Sequence, residues 1–216
     1  MNVLLIGDSI RMFYQEEVQT NLSDTFSVYA PKVNCRFSAF VLNSLRFWLT
    51  ENPPADIIHF NAGLWDTAIL YSEDGCFVDL ESYISNMKKI IRVLKTTGAE
   101  LIFATSTPVC DEKQYLPGPM PPAHKNADIA AYNAAAVELM KQENIPVNDL
   151  FSLMYADKEK YLSEDMIHPN EEGVKFLGQA VAQAIRNCSA TMKHNPAKTA
   201  QKLAFAENTT QEKTIQ

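Results

Sequence analysis

Apolar residues in this chain follow two rhythms. Short, mostly apolar runs at residues 3–6, 26–29, 57–60, 101–104 and 145–147 lack the strict alternation of a half-exposed strand. They read as strands buried on both faces. Between them, apolar positions recur at helical spacing. Val41, Leu45, Trp48 and Leu49 share one face. Tyr83, Met87, Ile90, Ile91 and Leu94 share another, with Gly98 placed to stop that helix. Ile129, Tyr132, Ala136 and Met140 form a third stripe, and Val174, Leu177, Val181 and Ile185 a fourth.

Strand and helix alternating about five times predict an α/β fold, a five-stranded parallel sheet with helices on both faces. Right-handed crossovers bring every strand's C-terminal end to one edge. Ligands bind at that edge, in the crevice where strand order reverses. The stretch "VLLIGDSIRM", residues 3–12, sets Gly7, Asp8 and Ser9 directly after the first run. Ser9 is therefore expected at the edge where such folds do chemistry. Residues 105–127 are irregular and hold five of the eleven prolines. A long segment at that edge reads as a wall or lid, or as a meandering surface loop. From Asn187 the chain is polar and poor in large apolar groups. A disordered tail, 187–216, is expected to follow a domain spanning 1–186.

The 216 residues are 46% hydrophobic and 21% charged, which suits one globular domain. Net charge is −7, and the last thirty residues carry four Lys against two Glu, leaving the body at −9. So acidic a body argues against a nucleic-acid partner. The four cysteines form no CxxC pair and no cluster with histidine at zinc spacing. They read as reduced, mostly buried thiols, and no metal site is expected. No apolar stretch approaches the ~20 residues of a membrane span. The first strand begins at Asn2, which leaves no room for a signal peptide, so a cytoplasmic location is expected. Oligomeric state is not legible.

A serine hydroxyl needs a base within hydrogen-bond reach, and the base needs an orienting acid. Of four histidines, His59 lies inside a strand run and reads as a core residue. His124 sits in the proline-rich segment and His194 in the tail. His168 stands in "SEDMIHPNEEG", just before the last helical stripe. Asp165 precedes it by three residues, and Pro169 disfavours a helix there, so the pair lies in a turn. Such a turn folds the carboxylate onto one ring nitrogen and leaves the other for Ser9. Read without Ser9, Asp165, His168 and Asn170 are merely a capped loop. Asn170 suits the helix N-cap, with Glu171 and Glu172 in the first turn.

"IGDSI" together with "DMIHPNEEG" resembles the SGNH, or GDSL-type, hydrolases. The resemblance covers roughly residues 1–186. "VNCRFSAF", "IIHFNAGLWDT", "IFATSTPV" and "ADIAAYNAAA" match further family segments more loosely. It implies a flavodoxin-like three-layer α/β/α sandwich and a serine esterase with no cofactor, acting on a small ester such as an O-acetylated carbohydrate or short-chain acyl ester. By the same resemblance Ser9 is the nucleophile, His168 the general base and Asp165 its orienting acid. The Ser9 N–H is one oxyanion donor. The family's second-block glycine is Ala39 here, whose N–H is another. The third block normally reads Gly-x-Asn-Asp, but here it is Gly63-Leu64-Trp65-Asp66. Trp65 fills the asparagine slot and reads as a donor, a core aromatic or a stacking platform. Asn61 is the alternative donor and the favoured one. Arg11 and Arg36 flank the site. Each reads as a solvated surface residue or as a contact for an anionic substrate. The rival reading is a non-catalytic relative that binds a sugar or nucleotide. A phosphate cradle at the Gly7–Ser9 turn is a third, weakened by the lack of a glycine-rich loop.

Overall fold

Five apolar segments pair side by side, all parallel: β1 (Asn2–Ile6), β2 (Ser27–Tyr29), β3 (Ile57–Phe60), β4 (Glu100–Ala104) and β5 (Val147–Asn148). Their order in the sheet is β2-β1-β3-β4-β5. This computed structural model describes residues 1–69, 75–111, 113, 123–192 and 196–215. The helices are α1 (Ser9–Leu22), α2 (Ser38–Glu51), α3 (Leu80–Lys95), α4 (Asn126–Gln142), α5 (Leu150–Tyr155), α6 (Lys158–Tyr161), α7 (Glu171–Thr191) and α8 (Pro196–Ile215).

Side chains alternate across a strand, and here each face meets its own core. Leu4, Ile6, Ile58, Phe60, Leu101 and Phe103 pack with the apolar stripes of α2, α3 and α4. Val3, Leu5, Ile57, Ile102 and Ala104 pack with α1, α5 and α7. The expected three-layer sandwich follows directly, because neither face of β1, β3 or β4 is left to water. The α1–α7 packing depends on Gly178, where a Cβ would collide with the Glu17 side chain. The last strand starts later than the apolar run at 145–147 suggests. Pro146 has no N–H to donate, though its carbonyl accepts from Phe103.

The expected stop at Gly98 is present: α3 ends at Lys95 and Gly98 has φ +74°. The tail departs from expectation. Helix α7 runs past Arg186 to Thr191, and α8 follows in place of a disordered segment. Lys198, Lys202 and Phe205 share one face of α8. Lys198 pairs with Glu100 at 2.7 Å, Lys202 pairs with Asp56, and Phe205 packs against the α2–α4 core. Three anchoring side chains suffice where a sustained apolar stripe is missing. Glu100 and Asp56 lie at the N-terminal ends of β4 and β3, so α8 crosses the end of the sheet opposite Ser9. Among the described residues no helix is long and apolar enough to cross a membrane.

Candidate active site

The β1–α1 turn presents Ser9. Asp8 caps α1, its Oδ1 accepting the Ile10 N–H at 3.0 Å, a bond worth about 1 kcal/mol. Ser9 is thus the first helical residue, half-buried at the C-terminal edge of the sheet. Gly7 leaves room for the Arg11 side chain, whose Cβ would stand 2.7 Å from a Cβ at residue 7. Arg11 is not a solvated surface residue; it is 1% exposed. Its Nε and Nη2 donate to the Gly7 carbonyl at 3.3 and 3.2 Å, and Nη2 also donates to the Val33 carbonyl at 2.7 Å. Nη1 donates to Gln15 Oε1 at 2.6 Å. A buried guanidinium needs this many acceptors. They strap the serine turn to the β2–α2 loop, where the Cys35 N–H also donates to Gly7 O at 3.3 Å.

The second contribution is the turn before α7. Asp165 Oδ1 accepts from the Ile167 and His168 N–H groups and from the Ser163 hydroxyl, each at 2.9 Å. These bonds hold Met166 at φ +60°, a strained value for a non-glycine residue. The other oxygen, Oδ2, lies 2.6 Å from His168 Nδ1. Burial alone would raise the Asp165 carboxyl, but the bonds from His168, Ile167 and Ser163 outweigh it and hold its pKa below the usual value. Asn170 caps α7 through the Gly173 N–H at 2.9 Å, while its Nδ2 donates to Lys160 O and Leu162 O. The turn is therefore fixed on both sides of His168.

Ser9 Oγ lies 2.9 Å from His168 Nε2. A carboxylate at Nδ1 assigns the proton to that nitrogen and leaves the Nε2 lone pair facing the serine hydroxyl. The Phe13 ring rests 5.2 Å from the imidazole and is 48% exposed, forming one flank of the site.

The β2–α2 and β3–α3 loops meet beside this pair. Asp66 is buried and grips the start of α2: its oxygens accept the Ser38 N–H at 2.9 and 3.1 Å and the Ser38 hydroxyl at 2.5 Å. Asn86 donates to Ser38 Oγ at 3.0 Å. The next residue, Ala39, is exposed, and neither its N–H nor that of Ser9 meets an acceptor among the described residues. Both belong to helix first turns, where intrahelical acceptors are lacking. Asn61, the favoured third donor, is committed elsewhere. Its Nδ2 donates to Ala104 O at 2.8 Å and to Ser106 Oγ at 3.4 Å. Trp65 is half-buried, and its indole N–H has no partner among the described residues.

Two carboxyls and two imidazoles are buried in this part of the fold. Burial pushes Asp8 up to about 6 and Asp66 up to about 7. It pushes His59 and His124 each down to about 4. His59 is the core residue expected, paired with Asn148 Nδ2 at 3.2 Å. Of the proline-rich segment, 112 and 114–122 lie outside the described residues, so the lid reading cannot be placed there. Its first part is pinned to α4: Asn133 Oδ1 accepts the Ser106 N–H and Asn126 Oδ1 the Val109 N–H. Among the described residues a groove of about 760 Å³ lies elsewhere, at the β5 edge between Ile102, Val147, Leu153 and Met192. Sequence reasoning gave no role to Asp8, Phe13 or Asp66. The one available signal was Asp66 closing the Gly63-Leu64-Trp65-Asp66 block.

Residues 5–176 match the GDSL-like lipase/acylhydrolase family. Among solved structures, the chain is similar to an acetyl xylan esterase, AlAXEase, at 17% identity over 86% of this chain and 100% of that one, with TM-score 0.70. It is also similar to a lipase/acylhydrolase from Enterococcus faecalis, at 18% identity over 86% and 95% and TM-score 0.69. A GDSL-like lipase from Bacteroides thetaiotaomicron matches at 18% identity over 87% and 88%, with TM-score 0.66. At these identities the likeness is one of fold. No curated protein matches the sequence.

Proposed function

The chain belongs to the GDSL-like lipase/acylhydrolase family, and on that premise we propose that it hydrolyses a small ester through an acyl-enzyme formed on Ser9. One observation carries the reading: the continuous relay Ser9 Oγ, His168 Nε2, His168 Nδ1, Asp165 Oδ2, with contacts of 2.9 and 2.6 Å. As Ser9 attacks the ester carbon, His168 Nε2 takes its proton and Asp165 stabilises the imidazolium. The carbonyl oxygen becomes an oxyanion. His168 then returns the proton to the departing alkoxide. Water repeats the sequence on the acyl-enzyme, releasing the acid and restoring Ser9.

The oxyanion is held by the N–H groups of Ser9 and Ala39 and by the Trp65 indole. Asp66 keeps the Ala39 donor in place by fixing Ser38. The indole replaces the usual asparagine amide, because Trp65 retains a spare donor and Asn61 does not. A large ring in that slot also walls the acyl side and favours short acyl groups such as acetyl. The fold shared with an acetyl xylan esterase is in keeping with an O-acetylated carbohydrate. A panel of chromogenic esters of increasing acyl length, run on wild type and Ser9→Ala, tests the activity. Turnover should be highest for the shortest acyl groups and vanish in the variant; equal rates in both proteins would refute the proposal.

The donor assignment gives a separate expectation. Trp65→Phe keeps the ring and removes only the N–H, so kcat falls about 10²-fold with KM little changed. Asn61→Ala leaves Ala104 O and Ser106 without a partner. It lowers stability by about 1–3 kcal/mol and affects kcat far less. Paired kinetic and melting measurements decide it. A harmless Trp65→Phe beside an Asn61→Ala that loses turnover at unchanged melting temperature would return the role to Asn61.

A further inference from the structure

With Arg11 committed to carbonyls inside the fold, Arg36 is the arginine on the link that joins the serine turn to α2. It occupies a backbone conformation that needs a reason. Its φ is +50°, in the left-handed region that an ordinary residue rarely adopts. The Asn34 side chain holds it there, accepting the Arg36 N–H at 2.9 Å. The preceding residue, Cys35, is tied to Gly7 O in the serine turn. Three residues further on stands Ala39. Arg36 therefore projects from the short link between the nucleophile turn and a proposed oxyanion donor.

The side chain is exposed, and no carboxylate pairs with it among the described residues. That is notable in a chain of net charge −7. Its guanidinium stacks instead over the Phe40 ring, 5.4 Å from the centroid. Phe40 belongs to an aromatic group with Phe37, at 6.2 Å, and Phe37 meets Phe77 edge-on at 5.0 Å. Phe77 is 45% exposed. A stacked guanidinium has fewer conformations to lose and keeps its N–H fork free, the arrangement suited to bidentate binding of a carboxylate or phosphate. The aromatic faces beside it suit an apolar or planar group.

We propose that Arg36 and Phe40 form a subsite for an anionic group on the ester, a carboxylate or phosphate carried next to an apolar or aromatic portion. This deepens the acyl-enzyme reading, on which it rests. An ester bound with its carbonyl at Ser9 and its carbonyl oxygen at Ala39 sends one of its two arms along the β2–α2 loop toward Arg36.

Two matched substrate pairs test both arms. 4-Acetoxybenzoate against phenyl acetate places the charge on the alcohol side; 4-nitrophenyl hemisuccinate against 4-nitrophenyl butanoate places it on the acyl side. The anionic-to-neutral ratio of kcat/KM should fall about tenfold in Arg36→Met for one pair, and 0.5 M salt should narrow the wild-type ratio. Lys32→Met, which removes another exposed cation of the same loop, should leave the ratio as it is. A ratio unmoved by Arg36→Met in both pairs overturns the inference, as does an equal fall in Lys32→Met. Calorimetric binding of 4-acetamidobenzoate and acetanilide to Ser9→Ala, with and without Arg36→Met, separates the two readings. Arg36-dependent binding of the anion without turnover of any ester would sink the hydrolase mechanism and keep the subsite. Turnover without Arg36 dependence would do the reverse.

Discussion

Ser9→Ala should lower kcat toward small esters by about 10⁶-fold, leaving a folded protein with a melting temperature close to wild type. The large effect follows from the relay acting as a unit. Without Oγ, His168 Nε2 has no hydroxyl to deprotonate, and Asp165 orients an imidazole with nothing to do. Loss of His168 in addition should therefore cost little more. The small structural effect follows from position. Alanine is a good first helical residue, and Asp8 still caps α1 through the Ile10 N–H. Steady-state kinetics on single and double variants, with thermal melts alongside, check both halves. A Ser9→Ala protein within tenfold of wild type would remove Ser9 as nucleophile.

Asp165→Asn should cost about 10⁴-fold in kcat while sparing the turn. The new amide oxygen can still accept the Ile167 and His168 N–H groups that Oδ1 accepts now. Its nitrogen, however, donates to His168 Nδ1, which drives the imidazole proton to Nε2. Nε2 then faces Ser9 as a donor and cannot take the serine proton. Ser163→Ala removes one of the bonds to Oδ1 and keeps the carboxylate, so its loss should stay below tenfold. The two variants compared at pH 8 make the test. Equal effects would mean that Asp165 serves only to hold the turn.

How legible each part was depended on how local its cause is. The Asp165–His168 pair was readable because three residues and a proline close the turn by themselves. Ser9 was readable because a strand must end before it. Helix α1 buries Arg11 beside the apolar positions Ile10, Tyr14, Val18 and Leu22, and nothing local marks that arginine as a core residue. Arg11 is tolerable there only because the carbonyls of Gly7 and Val33 converge on it, and Val33 is 22 residues away. Asn61 and Trp65 carry equally suitable donors in sequence terms. Only β4, supplying Ala104 O, shows that one of them is spent. Helix α8 was missed for the same reason: its partners, Asp56 and Glu100, belong to remote strand ends.

The burial of Asp8, Asp66, His59 and His124 also fixes how this protein's stability should respond to acid. Each carboxyl binds its proton more tightly folded than unfolded, so each stabilises the fold as pH falls. Each imidazole resists a proton that the unfolded chain accepts at about 6.5, so each destabilises the fold over the same range. Between pH 4.5 and 6, roughly, the native state holds two protons on carboxyls and the unfolded state holds two on imidazoles. Folding then relocates protons without net uptake, and stability should be flat. Below about pH 4 it should fall, as the depressed carboxyls of Asp165 and Asp56 are protonated. His59→Leu unbalances the inventory by one proton. In that variant stability should rise by about 1.4 kcal/mol per pH unit on acidification across the plateau. A wild-type curve that already slopes this way in denaturant titrations would show that the four groups do not offset one another.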